Sequence, residues 1–380
     1  MSRLALATVH LGALRANLQR IRVLAAGSKV MAVVKADGYG HGLERVARAL
    51  AVADAYGVAS IADGQRLRAA GHRQRIVVLS GIDAAGDLPE VRRLRLDVVV
   101  HHRAQIDLIA ADADPRPLRV WLKIDTGMHR LGLPVAQVAA AVARLRALPN
   151  VDPALIWMSH FASSDAADPG PTETQLALFN ALPSAPNYER TIANSAAIVA
   201  QSASRLDWVR AGGLLYGMAV VDGRTGSDFG FHPAMSLSSK LISIQRVSRG
   251  QAVGYGGTWC CPEDMDVGVV AIGYGDGYPR SVPSGTPVLI AGRPAPIIGR
   301  VSMDLLTVDL RQHAAAVIGA PVLLWGPALP VEKIAAAAGS ISYELACGVT
   351  RRVMVAEDDQ PVAADPEFAK PKFAKPVAAN

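Results

Sequence analysis

Short, fully apolar runs alternate with stretches that repeat leucine, valine and alanine at three-and-four spacing along the first half of the chain. The apolar runs end near Lys35 (VMAVVK), Ser60 (AYGVAS), Gly81 (RIVVLSG), His102 (LDVVVHH), Asp125 (RVWLKID), Phe161 (LIWMSHF), Ser195 (TIANS) and Gly213 (WVRAGG). Runs of this length bounded by polar or glycine positions read as buried strands, and the segments between them read as amphipathic helices. Helical spacing is clearest over Gly42–Val52, Asp63–Ala70, Ala104–Ala111 and Pro134–Leu148. Eight strand-helix units in about 215 residues predict an α/β fold, a (β/α)8 barrel of the TIM type.

Beyond about residue 228 the texture changes. Valine- and isoleucine-rich runs separated by glycine and proline follow one another, as in LISI, VGVVAI, PVLI, LLTVD and PVLLW, with hardly a helical pattern before Val331. Such spacing predicts a mainly antiparallel β domain. The expected organisation is a barrel over residues 1–228, a β domain over 229–356 and a disordered tail over 357–380, where Pro, Ala, Lys and Asp dominate and FAKP occurs twice.

Composition narrows the function classes. At 51% hydrophobic residues the 380-residue chain has ample material for two cores. The net charge of +6 comes from 39 basic and 33 acidic residues, with arginines scattered along helical segments and aromatics at only 5%. That pattern favours solvated helix faces over a nucleic-acid groove. Cys260, Cys261 and Cys347 make no disulfide framework. No secretory signal and no apolar run of about 18 residues stand out, so a cytoplasmic protein without a membrane span is expected.

Lys35 is the first residue to demand chemistry. It ends an apolar strand and is followed by glycines at 38, 40 and 42, in AVVKADGYGHG. A lysine there needs a partner, a lowered pKa or a covalent bond. It either pairs with Asp37 or reaches solvent, or it forms a Schiff base with an anionic cofactor that the glycines let approach. Barrel enzymes keep their chemistry at the C-terminal ends of the strands, and Lys35, Lys123, Arg130, His160, Asn194, Ser195, Arg210, Gly212 and Gly213 all fall at or just past such ends. The loops after the last two strands suit a phosphate. A sugar-phosphate aldolase and a pyridoxal phosphate (PLP) enzyme both fit this much.

The order of motifs separates them. AVVKADGYGHG, WLKIDTGMHRLG, SHFASSD, ANSAA, RAGGLLYG, VGYGGTW, GYGDGYPR, GRVSMD and ISYEL follow in register across nearly the whole chain to about Arg352, and this series resembles PLP-dependent alanine racemase. The resemblance implies that Lys35 carries PLP, that Tyr39, Ser195, Gly212, Gly213 and Tyr343 hold its phosphate, and that Asn194 belongs to the same loop. It implies Arg210 at the pyridine nitrogen, where an arginine can only donate, and His160 linking Arg210 to a catalytic Tyr255. Lys35 and Tyr255 would be the two bases on opposite faces of the substrate Cα. Arg130 would bind the substrate carboxylate, with Met303 and Asp304 closing the other side, and Lys123 would be carbamylated to orient Arg130; the plain alternative for Lys123 is an ion pair with Asp125.

Tyr255 lies in the other domain from Lys35, so the resemblance implies a head-to-tail homodimer in which Tyr255, Tyr274 and Met303 complete the neighbour's site. The expected activity is interconversion of L- and D-alanine for peptidoglycan, with no metal. Ser302 replaces the family's usual cysteine, and Gly213 stands where a larger residue is common; a looser loop that admits a larger substrate is the expected consequence. A serine-preferring racemase, a PLP lyase or decarboxylase on a similar barrel, and a non-catalytic PLP carrier are the competing readings. Tyr255 and the complete second domain argue against the last two.

Overall fold

The computed structural model describes residues 4–183 and 188–362. Nineteen strands follow in chain order among them. Strand β1 is Leu6–His10, β2 Lys29–Val33, β3 Ala55–Val58, β4 Arg75–Val78, β5 Asp97–Val100, β6 Val120–Asp125, β7 Leu133–Pro134, β8 Ile156–Met158, β9 Glu189–Thr191 and β10 Trp208–Ala211. Eight of these pair in parallel, β2 to β3 to β4 to β5 to β6 to β8 to β9 to β10, and β10 pairs back to β2. The sheet closes, which leaves no free edge. Nearly every residue of these strands is buried because both faces are covered, the outer one by helices such as Leu43–Ala49, Ile61–Ala69, Arg103–Ala111 and Val138–Arg146. These helices overlap the four segments that the spacing marks: Leu43–Ala49 and Val138–Arg146 are shorter at both ends, whereas Ile61–Ala69 and Arg103–Ala111 start two residues and one residue earlier.

The barrel is filled by residues that alternate along the strands. Met31, Ala55, Val77, Val99, Trp121, Ile156, Met158 and Trp208 form the interior cluster. Side chains two apart on a strand share a face. The next inward positions toward the C-terminal end are therefore Val33 after Met31, Lys123 after Trp121, His160 after Met158 and Arg210 after Trp208. The pleat itself sets the polar layer on top of the apolar one.

The second domain continues with β11 Met235–Val247, β12 Ala252–Val253, β13 Trp259–Cys260, β14 Met265–Val270, β15 Pro287–Ile290, β16 Arg293–Pro296, β17 Leu306–Asp309, β18 Pro321–Trp325 and β19 Met354–Asp358. Its pairings are antiparallel, apart from β1 with β19. Long β11 is the hub: it pairs with β1, β14 and β18.

Two sequence boundaries shift. Strand β1 was assigned to the barrel segment but lies between β11 and β19 in the second sheet, in register Leu6 with Ser238 and Leu6 with Met354. Its alternating burial, with Ala7 and Val9 inward, suits a strand with one covered face. Glu357 and Asp358, placed in the tail by composition, are the end of β19, where Glu357 pairs with Arg45 and Arg48 and Asp358 with His10. The rest of that tail, from residue 363, lies outside the described residues. No described helix is long and apolar enough to cross a membrane.

Candidate active site

A cavity of about 510 Å³ opens at the C-terminal ends of the barrel strands. Lys35, Tyr39, Lys123, Arg130, His160, Asn194, Ser195, Arg210, Gly212, Gly213 and Tyr343 all line it. Tyr343 comes from the second domain, on the helix Ser342–Cys347, and packs against the barrel core.

Lys35 is held by an unusual backbone. Ala36, Asp37, Gly38, Tyr39 and Gly40 all have φ between 52° and 79°. A left-handed turn costs roughly 1–2 kcal/mol for each residue with a Cβ. The surroundings over-determine it: Gly38 N–H donates to Val34 O at 2.9 Å, Gly40 N–H to Ala36 O at 3.0 Å and Gly42 N–H to Asp37 O at 2.8 Å. The Asp37 carboxylate accepts from Leu43 N–H at 3.1 Å and from Arg66 at 2.8 Å. Asp37 is thus committed to the loop and is not the ion-pair partner of Lys35. Burial, and then Arg130, push the Lys35 amine below the ordinary lysine range.

Arg210 is buried, and its two terminal nitrogens are directed by neighbouring acceptors. It donates to Thr191 Oγ1 at 2.8 Å, Ser159 O at 2.6 Å, Ile192 O at 3.2 Å and His160 Nδ1 at 3.1 Å. Because Nδ1 of His160 accepts, the ring proton sits on Nε2. Burial, then Arg210, Lys123, Arg130 and Lys35, push the imidazole down to about 2, so it is neutral. Burial lowers Arg210 to about 10, which still leaves it charged near neutrality.

Lys123 has no ion pair among the described residues. Burial, followed by Arg210, Arg130 and Lys35, lowers it to about 8. Asp125, its suggested partner, is occupied: it accepts from Gly127, Met128 and His129 N–H groups at 2.9, 3.1 and 3.1 Å, and meets His129 Nδ1 at 3.0 Å. Arg130 likewise has no ion pair among the described residues. Four cationic side chains therefore face one cavity, which suits a ligand with more than one negative charge.

The opposite wall is a cradle of hydroxyls and glycines. Ser195 Oγ accepts from Gly212 N–H at 2.9 Å and from Leu214 N–H at 3.4 Å. Asn194 caps the helix Ser195–Ala200 by accepting from Ala197 N–H at 3.0 Å, and its oxygen also accepts from Ser164 Oγ at 2.8 Å. A Cβ at Gly212 would stand 2.6 Å from Tyr39 Oη, and one at Gly213 would stand 2.3 Å from Tyr343 Oη. With the two rings where they stand, neither position has room for a Cβ. The space at Gly213 is filled by the Tyr343 ring, so the looser loop expected from this glycine is not what the packing shows.

Tyr255, Met303 and Asp304 are not brought to this cavity within one chain. Tyr255 is 69% exposed and Met303 52% exposed, and Asp304 pairs with Arg352. Tyr274, also exposed, lies beside Met303: its N–H donates to Ser302 O at 3.0 Å, and the next N–H, Gly275, donates to Met303 O at 2.8 Å. Sequence reasoning missed Thr191, which anchors Arg210, and Tyr216, whose ring stacks on Tyr39 at 4.7 Å. The YG of RAGGLLYG was a signal for Tyr216; nothing local marks Thr191.

Residues 9–220 match the family described as alanine racemase, N-terminal domain, and residues 234–356 match alanine racemase, C-terminal domain. The chain is 50% identical over 347 residues to alanine racemase of Nitrosococcus oceani, covering 91% of this chain and 97% of that one. It is 46% identical over 349 residues to alanine racemase of Vibrio cholerae, covering 92% and 97%. The solved biosynthetic alanine racemase of Pseudomonas aeruginosa superposes with a TM-score of 0.90 at 41% identity, over 94% of this chain and all of that one. An alanine racemase of Bartonella henselae, solved with covalently bound pyridoxal phosphate, gives a TM-score of 0.83 at 25% identity over 93% and 99%.

Proposed function

The chain belongs to the alanine racemase family of isomerases, and from that premise we propose that it interconverts L- and D-alanine with PLP, by two bases, and supplies D-alanine for peptidoglycan. The observation that carries this reading is the convergence of Lys35, Arg130, Arg210 and the Tyr39, Ser195 and Tyr343 hydroxyls on one cavity.

The residues present fit the cofactor. Two phenols, the Ser195 hydroxyl and the backbone at Gly212 and Gly213 form a cradle packed too closely for a Cβ at either glycine, and hydroxyl and N–H groups are the donors a phosphate takes. Arg210 is a donor only, so it would hydrogen-bond a ring nitrogen without protonating it. When bound, PLP supplies the electron withdrawal that acidifies the Cα–H of an amino acid.

The remaining work belongs to side chains of this chain. A lowered lysine pKa makes Lys35 both a nucleophile toward an aldehyde and, once free, a base on one face of Cα. Tyr255 of a second copy would serve the other face. A phenol ordinarily titrates near pH 10, so its ionised form needs a hydrogen-bond donor. The Nε2–H of His160, fixed by Arg210, is the donor on offer. Arg130, without a carboxylate partner here, would take the substrate carboxylate. The lowered Lys123 amine, among cations, would react with carbon dioxide to give a carbamate, an anion able to orient Arg130.

The exposure of Tyr255, Tyr274 and Met303, three large apolar side chains of the second domain, supports a head-to-tail homodimer. The test is a pair of racemase assays on purified protein, L-alanine beside L-serine, with product read by D-amino-acid oxidase and a Tyr255→Phe control. Faster turnover of alanine, lost in the variant, is expected. A protein with the visible absorbance of bound PLP that racemises neither substrate would overturn the reading in favour of a carrier or a lyase.

A further inference from the structure

At the opposite end of the barrel from Lys35, a second cavity of about 510 Å³ is lined by Arg68, Arg73, Arg75, Arg93, Arg95 and Arg119, with Asp97 the one carboxylate among its lining residues. Arg75 and Asp97 are the first residues of β4 and β5, and Arg119 immediately precedes β6. At this end of a barrel, charged residues usually serve stability alone, and some of these do. Arg68 donates to four backbone carbonyls, Leu94 at 2.7 Å, His72 at 2.9 Å, Gln74 at 2.8 Å and Arg95 at 2.9 Å. Arg93 pairs with Glu90. Asp97, 4% exposed, accepts from Trp121 Nε1 at 2.9 Å and faces Arg75 at 3.3 Å and Arg119 at 3.6 Å.

That leaves a surplus. Arg73 and Arg95 have neither an ion pair nor a side-chain hydrogen bond among the described residues, and the Nη1 of Arg75 is buried without a partner. A buried guanidinium donor left unpaired is costly, and convergent like charges repel; an anion seated among them would relieve both. The planar forks of arginines match phosphate oxygens, and a cavity of this volume is of small-ligand size. We propose that the floor of the barrel is a binding site for a small multivalent phosphate anion, of the pyrophosphate kind, held by Arg73, Arg75 and Arg95 and separate from the mouth.

The probe is pyrophosphate, titrated calorimetrically into the PLP-loaded enzyme at fixed ionic strength, with and without a saturating equilibrium mixture of D- and L-alanine to fill the mouth. Saturable binding that alanine does not displace is expected. It should weaken roughly tenfold in an Arg73→Gln/Arg95→Gln variant whose racemase activity is unchanged, since two exposed charges are lost. Should the double variant fail to fold, Arg73→Gln alone serves, with weakening of roughly threefold. No saturable heat, displacement by alanine, or an unaltered dissociation constant in the folded variant would overturn the proposal.

Discussion

The Arg210 guanidinium donates to His160 Nδ1 at 3.1 Å, and this bond decides which nitrogen of the imidazole carries the proton. A cation at that distance also opposes imidazolium formation, so His160 stays a neutral donor through its Nε2–H. Replacing Arg210 by glutamate reverses both effects. The carboxylate would favour imidazolium and would likewise favour a protonated pyridine nitrogen beside it. Racemase kcat should fall on the order of 100-fold, the His160 resonance should titrate at higher pH, and pyruvate from transamination should rise. An Arg210→Glu enzyme with no gain in pyruvate would show that the arginine does not control the side reaction.

A second prediction concerns the fit of Gly213 against Tyr343. A Cβ at 213 would stand 2.3 Å from Tyr343 Oη and 2.8 Å from its Cζ, so the ring must leave its place. Gly213→Ala should weaken PLP binding by about tenfold through the lost phenol contact. Gly86→Ala is the control, because nothing lies within 4 Å of a Cβ there. Spectroscopic titration of the apo protein with PLP checks both; equal affinities would refute the cradle.

Acid should unfold the protein partly through His41. This ring is 1% exposed, its Nδ1 is hydrogen-bonded to Tyr39 O at 2.8 Å and its Nε2 is unpartnered, and burial lowers it from 6.5 to about 4. The folded state resists the proton that the unfolded state accepts. Stability is therefore full above about pH 6.5 and declines as pH falls toward 4, by roughly 3 kcal/mol for this one group. Against a total of about 5–15 kcal/mol that is a large share. Urea unfolding across the window checks it; His41→Gln should flatten the slope, and a wild-type slope of zero would contradict the assignment.

Lys123 offers a chemical readout. An amine lowered to about 8 keeps an appreciable neutral fraction at neutral pH, and only the neutral form adds carbon dioxide. Equilibration with 13C-bicarbonate should give a carbamate carbon resonance that disappears in Lys123→Ala, and the variant's KM for alanine should rise about tenfold as Arg130 loses its orienting partner. An uncarbamylated wild type with an ordinary KM would leave Lys123 without this role.

The legible and illegible parts of the sequence divide by range. Lys35, Lys123, His160 and Arg210 interrupt apolar runs at strand ends, and period-2 geometry puts Lys123, His160 and Arg210 above Trp121, Met158 and Trp208, whereas Lys35 lies beyond the end of β2 in the turn that follows it. The eight-strand count follows from the same runs. What escaped is non-local. Nothing in Leu6–His10 says that its partners are Met235–Ser238 of β11 and Met354–Asp358 of β19, at the far end of the chain. Glycines 38, 40 and 42 signal positive φ, but Ala36, Asp37 and Tyr39 share it only because distant groups such as Arg66 and the Tyr216 ring hold the turn. The arginines of the floor are dispersed over residues 68 to 119, on helix ends, loops and strand starts, and no local spacing marks them as neighbours.

The exposed Tyr255 leads to the test of a shared site. Lys35→Ala and Tyr255→Phe should each be nearly inactive as pure proteins. If each site takes Lys35 from one copy and Tyr255 from the other, a mixed dimer of the two variants has one doubly damaged site and one intact site. Random re-association of equal amounts makes about half the dimers mixed, each with one working site of two, so about a quarter of wild-type activity should return. If both residues served the same chain's cavity, every site in the mixture would lack one base and no activity would appear. The 69% exposure of Tyr255, and its absence from the cavity that holds Lys35, favour recovery.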